Sequence, residues 1–399
     1  GDLWTKLSGG VPNIAFRDLA IQQRENDLVG ATFGRSIYIL DDYSPLRQVD
    51  SELLAGGSVL FPVRRTHWYV PRRPQSCAEP GCVGSQGDAY FVAPNPDFGA
   101  TFTYYLPETI LTQKAARQES EKDRVANNQD VDFPSWAAIK TESIEDEPAI
   151  VLTVRDREGT IVRHVTGPAD AGFHRVAWDL TYPPLDAWQP LEEGAEAEQP
   201  GPGVLVVPGT YSVSMSALID GVATDLGQSQ SFELVSIREA TFEGSTQEQR
   251  VIFESQVAEL LRAAEGTTLA IDEILAELDA IKAALVQSRG EGSFFEIADS
   301  IAKRLSAERD RLVDNEMQDA YNDVQVMTVS ARAYHARFAP MSNAYGPTPA
   351  QRESLSIARR TYDEVTTELD GIVNEEYAAL KSALDDAKVP WTPGRGIQR

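Results

Sequence analysis

The chain has 399 residues, with 36 Lys and Arg against 61 Asp and Glu, which gives a formal net charge of −25 at pH 7. This acidity argues against nucleic acids and anionic membrane surfaces as partners, because both repel a negatively charged protein. The length and the hydrophobic content of 42% are those of a globular protein with about two to four domains, and no apolar run is long enough for a transmembrane helix.

Two stretches near the start of the chain predict β-structure. Ile14–Ile21 reads as a strand that follows a turn at Pro12-Asn13. Residues 26–42 read as strand, tight turn and strand, with Gly34 supplying the positive φ that a short hairpin turn demands. Two strands alone are marginal in water, so the hairpin implies a larger sheet with neighbours.

The hairpin also carries a family resemblance. Its sequence, Asn-Asp-Leu-Val-x-Ala-Thr-x-Gly-Arg-Ser-Ile-Tyr-Ile-Leu-Asp-Asp, resembles the closing blade of secreted bacterial β-propellers of the sialidase-repeat (BNR or Asp-box), sortilin-like class. The opening stretch 1–7 is similar to the tail of an Asp-box, whose Trp packs between blade strands. The resemblance implies that residues 1–50 are a partial last propeller blade, in a protein that is secreted, periplasmic or at the cell surface.

This resemblance implies a function for the chain as a whole. It favours the non-catalytic C-terminal part of a propeller protein, used for assembly or ligand binding through pairing of the N-terminal strands with the rest of the propeller or with another chain. The alternative is the accessory region of a sialidase-like glycoside hydrolase, whose catalytic residues would lie on upstream blades. No catalytic residue is assigned in this chain, because it contains no phosphate loop, nucleophile elbow or metalloprotease motif.

Residues 51–97 are predicted to be an irregular connector, because glycine and proline recur throughout. This connector holds a local basic and aromatic cluster formed by Arg64, Arg65, His67, Trp68 and Tyr69. One interpretation is an anion or carbohydrate site, in which arginines hold carboxylates and aromatic rings stack on sugars. The other is a connector whose arginines pair with the surplus acidic residues.

Cys77 and Cys82 flank a Pro-Gly turn. A disulfide between them suits an oxidising compartment, while free thiols or half of a metal site with His67 are the alternatives. No cofactor is predicted elsewhere, although an acidic loop could bind structural calcium loosely or be a solvated charge run. The acidic residues of that loop are Glu192, Glu193, Glu196 and Glu198.

Residues 98–238 are predicted to form an immunoglobulin-like β-sandwich, because short alternating segments are separated by turn signals. The predicted strands are Asp97–Pro107, Ala149–Asp156, Thr160–Val165, Gly172–Leu180, Val204–Val207, Pro208–Met215 and Ser229–Val235. In the fourth of them, Val176, Trp178 and Leu180 are predicted to point inward, since this face is the more apolar one. The polar stretch Lys114–Asp130 is predicted to be a helix or a flexible insertion.

The strand motifs of this region resemble the Ig-like module that follows such propellers and that also occurs in flagellar hook-capping proteins. The matching residues are Asp156, Gly159, Val162, Arg163, Ala171, Gly172, His174, Arg175, Val176, Trp178, Asp179, Pro208, Gly209 and Tyr211. The resemblance implies structural roles for them, with Trp178 as the core aromatic residue and Gly159 and Gly209 in turns.

Residues 246–390 are predicted to form an antiparallel helical bundle, so that the fold class is a multidomain β + α chain. The predicted helices are Gln247–Ser288, with an interruption or a new helix start at 266–268, then Ser293–Val326, and a last helix over 350–387 capped by Thr348 with Pro349 at its first position. The segment Ala331–Phe338, with His335 between two arginines, predicts either an anion site or salt bridges to acidic helices.

Overall fold

The computed structural model describes residues 10–11, 13–71, 93, 95–183, 187, 203–237, 243–288, 292–321, 323–338 and 345–396. The chain has mixed α and β structure and divides into two compact units. The first unit comprises Gly1–Leu180 and Pro208–Ile237, and the second comprises Thr181–Val207 and Arg238–Arg399. No helix among the described residues combines the length and the apolar composition needed to cross a membrane.

The first unit begins with a three-stranded antiparallel sheet. Its strands are β1 (Phe16–Gln22), β2 (Asp27–Thr32) and β3 (Ile37–Leu40), in the spatial order β1-β2-β3. The predicted strand–turn–strand pattern of residues 26–42 is therefore observed, and Gly34 in the turn has a φ of +80°. A side chain at this position would be strained, which explains why glycine stands there.

Two further sheets of the first unit face each other. The larger contains β5 (Thr66–Trp68), β7 (Ala149–Arg155), β8 (Ile161–Gly167), β10 (Gly209–Ile219) and β11 (Val222–Ser236) in the order β5-β11-β10-β7-β8. The smaller contains β4 (Val59–Leu60), β6 (Ala100–Leu106) and β9 (Gly172–Trp178) in the order β4-β6-β9.

Aromatic side chains from both sheets form the layer between them. The ring of Phe102 in β6 lies 5.7 Å from that of Phe232 in β11, and the ring of Trp178 in β9 lies 5.5 Å from that of Tyr211 in β10. All four side chains are buried. Edge-on and tilted ring pairs of this kind add to the stabilisation that burial of the apolar area already provides.

Two strand predictions need correction. Residues 51–97 were expected to be irregular, but a short helix, α1 (Ser51–Ala55), and the strands β4 and β5 lie within them. Strand β5 forms because Thr66 and Trp68 alternate with exposed neighbours and the strand pairs in parallel with β11. Residues 204–207 were expected to be a strand of the sandwich. Instead, Leu205 makes an isolated bridge to Thr181, and Val204 packs against Ala258 within the second unit.

A helical insertion separates β6 from β7. The polar stretch that begins at Lys114 forms α2 (Gln113–Ala126), and a shorter helix, α3 (Trp136–Glu142), follows. The side chains of Thr112 and Ser135 cap the two helices by accepting backbone N–H groups three residues on. Neither helix contains a buried residue, so apolar burial contributes little to holding this insertion together.

The second unit is built from helices around one apolar cluster. They are α4 (Gln247–Val286), α5 (Gly292–Leu312), α6 (Glu316–Ala320), α7 (Val329–Phe338), α8 (Pro349–Asp370), a π-helical segment (Gly371–Tyr377) and α9 (Ala378–Asp386). Fully buried members of the cluster include Leu278, Ile281, Ile301, Leu305, Val365, Ile372 and Leu384. The predicted Thr348 cap with Pro349 at the first helical position is observed in α8.

Two helix predictions are wrong. No break or new start occurs at residues 266–268, because the hydroxyls of Thr267 and Thr268 donate to the carbonyls of Ala263 and Ala264 inside one continuous α4. The helix predicted to extend to Val326 ends at Leu312. There, the Asn315 side chain accepts two backbone N–H groups and starts α6 as a separate short helix.

Candidate docking surface

Large apolar side chains cover both faces of the three-stranded sheet. Residues that are directly paired in an antiparallel sheet point to the same face, so the observed pairing assigns each side chain. One face carries Leu19, Ile21, Leu28, Tyr38 and Leu40, with the ring of Phe16 lying over Gly30. The opposite face carries Ala20, Val29, Ala31, Ile37 and Ile39, together with the carboxylate Asp18, which pairs with Ala31.

Each face has large apolar side chains that are more than half exposed, whereas Leu28, Val29 and Tyr38 are half-buried. Leu19 and Ile21 on one face are 61% and 54% exposed, and Ile37 and Ile39 on the other are 60% and 59% exposed. An antiparallel sheet in a soluble domain ordinarily packs one face against the core and presents polar residues on the other. Exposed apolar side chains on neighbouring strands are typical of a surface that another structure covers.

The outer edge of β3 is also open to pairing. The backbone N–H of Thr32 donates to the Ser36 carbonyl over 3.1 Å, and bonded and non-bonded pairs alternate along an antiparallel ladder. With the observed register, Tyr38 and Leu40 direct their backbone groups to β2, whereas Ile37 and Ile39 direct theirs outward. Among the described residues no strand pairs with this edge, and β3 contains no charge or proline to discourage pairing.

Two arginines fix the sheet to the rest of the first unit. The Arg175 guanidinium of β9 donates to the backbone carbonyls of Asp41, at 2.6 Å, and of Asp42. Arg64 lies 3.7 Å from a carboxylate oxygen of Glu25, in the turn between β1 and β2. Both anchors hold turns at the ends of strands, so neither arginine covers an apolar face of the sheet.

Side chains alternate between the two faces of β5, so the basic and aromatic cluster predicted from sequence is split between the buried and the exposed face. Trp68 is buried, so its ring faces the interior and offers no platform for a sugar. Arg65 and His67 are exposed on the opposite side, and the exposed ring of Tyr69 contacts that of Phe98 at 4.9 Å. With Arg64 held by Glu25, the outward members Arg65, His67 and Tyr69 are the part of this cluster that faces solvent, and a ligand role for them stays a prediction.

The paired strands β6 and β9 bring a histidine next to a buried tyrosine. His174 stacks on Tyr104 with ring centroids 5.1 Å apart, and its Nε2 lies 2.6 Å from the Asp170 carbonyl. Burial and the nearby Asp170 raise the pKa of Tyr104 to about 12, and its hydroxyl donates to the Pro168 carbonyl. Within the described part of the chain, no group of three or more His, Cys, Asp or Glu side chains is placed to hold a metal ion.

Several predictions fall outside the described residues. They are the disulfide between Cys77 and Cys82 and the loose calcium site at Glu192, Glu193, Glu196 and Glu198.

Helix α4 of the second unit contains two charged residues, Arg250 and Glu254, whose burial was not predicted from sequence. Arg250 of α4 is 9% exposed, and its Nε has no hydrogen-bond partner among the described residues. Burial raises the pKa of Glu254, one turn later, although Arg250 and Arg337 oppose this shift. An i, i+4 pair on an amphipathic helix ordinarily predicts a solvated ion pair, so sequence gave no signal of burial.

The substitution Glu254→Gln is expected to stabilise the second unit at pH 7. The raised pKa means that the folded state binds the proton more tightly than the unfolded state does, so stability falls as pH rises from the unfolded value of about 4.3 through the folded one. Glutamine resembles the protonated form and removes this loss. In urea unfolding, the midpoint should exceed that of the parent at pH 7 and approach it near pH 4.

Glu259→Gln on the exposed side of the same helix is the matched control, and its difference from the parent should not follow this pattern. A Glu254→Gln variant that is less stable than the parent at pH 7 would contradict the assignment.

No family model, curated protein or solved structure matches the chain. The function is therefore inferred from the chain's own residues. The sheet of β1, β2 and β3, with exposed apolar side chains on both faces, is the feature that most directly indicates a binding partner.

Proposed function

We propose that this chain is a non-catalytic C-terminal assembly part of an extracellular, sortilin-like β-propeller protein, and that its three-stranded sheet is the last blade of that propeller. The observation that carries the proposal is the exposure of apolar side chains on both faces of the sheet. Propeller blades stack around a central channel, so a blade has a neighbour on each face. A sheet of a sandwich, in contrast, needs only one covered face.

The open edge of β3 supports the same assignment. Propeller blades are typically four-stranded sheets, whereas the described residues contribute three strands, β1, β2 and β3, to this one. A fourth strand alongside β3 would pair with the outward backbone groups of Ile37 and Ile39. In this proposal the strand and the two neighbouring blades come from upstream sequence of the same protein or from a second chain.

The remaining parts of the chain take supporting roles. The two facing sheets, with Trp178 in the layer between them, serve as the Ig-like module that fixes the blade through Arg175. The helices of the second unit serve as an antiparallel bundle at the C-terminal end. A secreted, periplasmic or cell-surface location follows from the propeller assignment and belongs to the same proposal.

Carbene footprinting of the native protein against the isolated chain tests the blade assignment. In the isolated chain, Leu19 and Ile21 on one face and Ile37 and Ile39 on the other should be labelled strongly, because each is more than half exposed. In the protein purified from its native source, labelling at all four should fall several-fold, because neighbouring blades cover them.

Val286, which is 78% exposed in the second unit, is the internal reference and should be labelled in both samples. Equal labelling of the four sheet residues in both samples would overturn the proposal. Protection of only one face would also overturn it, since a blade between two neighbours requires both faces to be covered.

A further inference from the structure

The α2–α3 insertion of the first unit carries an open cavity of about 490 Å³. Its volume is in the range of ordinary small-molecule sites. The wall combines charged and apolar side chains, among them Lys114, Arg117, Asp132, Phe133 and Glu142. Because neither helix contains a buried residue, the cavity is not a gap in an apolar core.

An arginine fork shapes one wall of this cavity. Nε and Nη2 of Arg117 each donate over 2.7 Å to one carboxylate oxygen of Glu142, and Nη1 donates over 2.6 Å to Glu121. The hydrogen bond from Arg117 lowers the pKa of Glu142. Because all three nitrogens of Arg117 bind these two carboxylates, its positive charge is neutralised and it is not available to an anionic ligand.

Two aromatic rings stand beside this charged wall. Phe133 lines the cavity and is 75% exposed, and Trp136, at the start of α3, is 78% exposed. Their ring centroids lie 5.9 Å apart at an interplanar angle of 67°. Exposed tryptophan and phenylalanine next to a polar cavity combine an apolar surface with hydrogen-bonding groups at one place.

We propose that this cavity and its aromatic rim bind a neutral oligosaccharide. The apolar C–H faces of neighbouring sugar rings pack on Trp136 and on Phe133. Sugar hydroxyls both donate and accept, so they suit a wall that offers the Lys114 ammonium as a donor and the Asp132 and Glu121 carboxylates as acceptors.

Charge decides between neutral and ionic sugars. The lining has two positive and three negative side chains, which nearly cancel, while the chain as a whole carries −25. An acidic glycan is therefore repelled over long range and finds no unpaired guanidinium in the cavity. This site is separate from the three-stranded sheet and does not depend on the blade assignment.

Isothermal titration with defined oligosaccharides tests the site. The neutral probes are cellohexaose, xylohexaose, mannohexaose and maltohexaose, and the acidic probe is trigalacturonic acid. At least one neutral probe should bind, and the acidic probe should bind at least tenfold more weakly. Trp136→Ala and Phe133→Ala should each weaken the neutral sugar at least tenfold, because each removes an aromatic contact.

Ile144→Ala is the matched control, because Ile144 lies just after α3, is 74% exposed and does not line the cavity. It should leave affinity unchanged. Since Trp136 and Phe133 are largely exposed, circular dichroism of their variants should match the parent. The proposal would be overturned if no neutral probe bound, if Trp136→Ala left binding unchanged, or if the acidic probe bound more tightly. It would also be overturned if a polypeptide, and not a sugar, were cross-linked to Trp136 in the native protein.

Discussion

Replacing Trp178 by alanine is expected to lower the free energy of unfolding of the first unit by about 3–5 kcal/mol. Trp178 is 1% exposed, and its ring lies 5.5 Å from that of Tyr211 and 6.4 Å from that of Phe232. The substitution removes the largest side chain from the layer between the two sheets and leaves a cavity that strands on both sides cannot close. Hydrogen exchange of the β6 and β9 amides against urea concentration measures the loss.

Phe173→Ala on the same strand is the matched control. Phe173 points to the opposite face, is partly exposed and stacks on Phe61 and Tyr105 at 5.9 and 4.9 Å. Its removal forfeits ring contacts on a partly hydrated surface, so we expect a loss of about 1 kcal/mol. Equal losses for Trp178→Ala and Phe173→Ala would show that the assignment of the inward face of β9 is incorrect.

Local patterns were sufficient to predict the longer strands and the inward position of Trp178 in β9. A strand has a period of two residues, so choosing the more apolar face of the stretch 172–180 also chose its register. Trp178 and Leu180 are buried as that choice predicted, Val176 is half-buried, and Phe173 on the other face is exposed. The hairpin of residues 26–42 and the start of α8 at Thr348 were equally local, since each depends on turn or cap residues next to it.

Most of the wrong predictions required information from distant parts of the chain, whereas the end of α5 near Asn315 depends on a local cap. The short strand β5 exists because β11, far away in sequence, pairs with it. Helix α4 continues through Gly266 because packing of residues on both sides, such as Ala264 and Ile271 in the buried cluster, stabilises it beyond the weak propensity of this stretch. Val204 packs with α4 although its sequence suits a strand.

For the candidate sites, too, local sequence predicted the residues involved but not the arrangement that distant parts of the chain impose. Sequence indicated that the hairpin needs a larger sheet, but exposure on both faces appears only once three strands are in register. Composition selected Arg64–Tyr69 as a cluster, yet alternation along β5 turns Trp68 inward. For the insertion, the signal in sequence was Phe133 and Trp136 within an otherwise polar stretch, which periodicity does not detect because both precede or begin a short helix.

Replacing Arg395 by alanine is expected to lower the free energy of unfolding of the second unit by about 2–3 kcal/mol. The Arg395 side chain is fully buried, and its guanidinium donates to Asp385 and, through Nη1, to the backbone carbonyls of Val389, at 3.1 Å, and Pro390, at 2.8 Å. Alanine leaves these carbonyls without a donor where the chain turns back after α9. Urea unfolding followed by far-ultraviolet circular dichroism measures the helical unit.

Arg304→Ala is the control that distinguishes the effect of burying an arginine from the effect of the number of acceptors it binds. Arg304 of α5 also engages two acceptors, Glu368 at 2.6 Å and Glu376 at 2.5 Å, but its side chain is 41% exposed. Water replaces these partners when the guanidinium is removed, so the expected loss is below about 1 kcal/mol. If Arg304→Ala destabilised the unit as much as Arg395→Ala, the surface ion pairs between helices would hold the unit together as strongly as the buried guanidinium. The segment after α9 would then contribute little to the stability of the helical unit. A larger loss of stability for Arg395→Ala than for Arg304→Ala supports the interpretation that Arg395 fixes this segment to the unit.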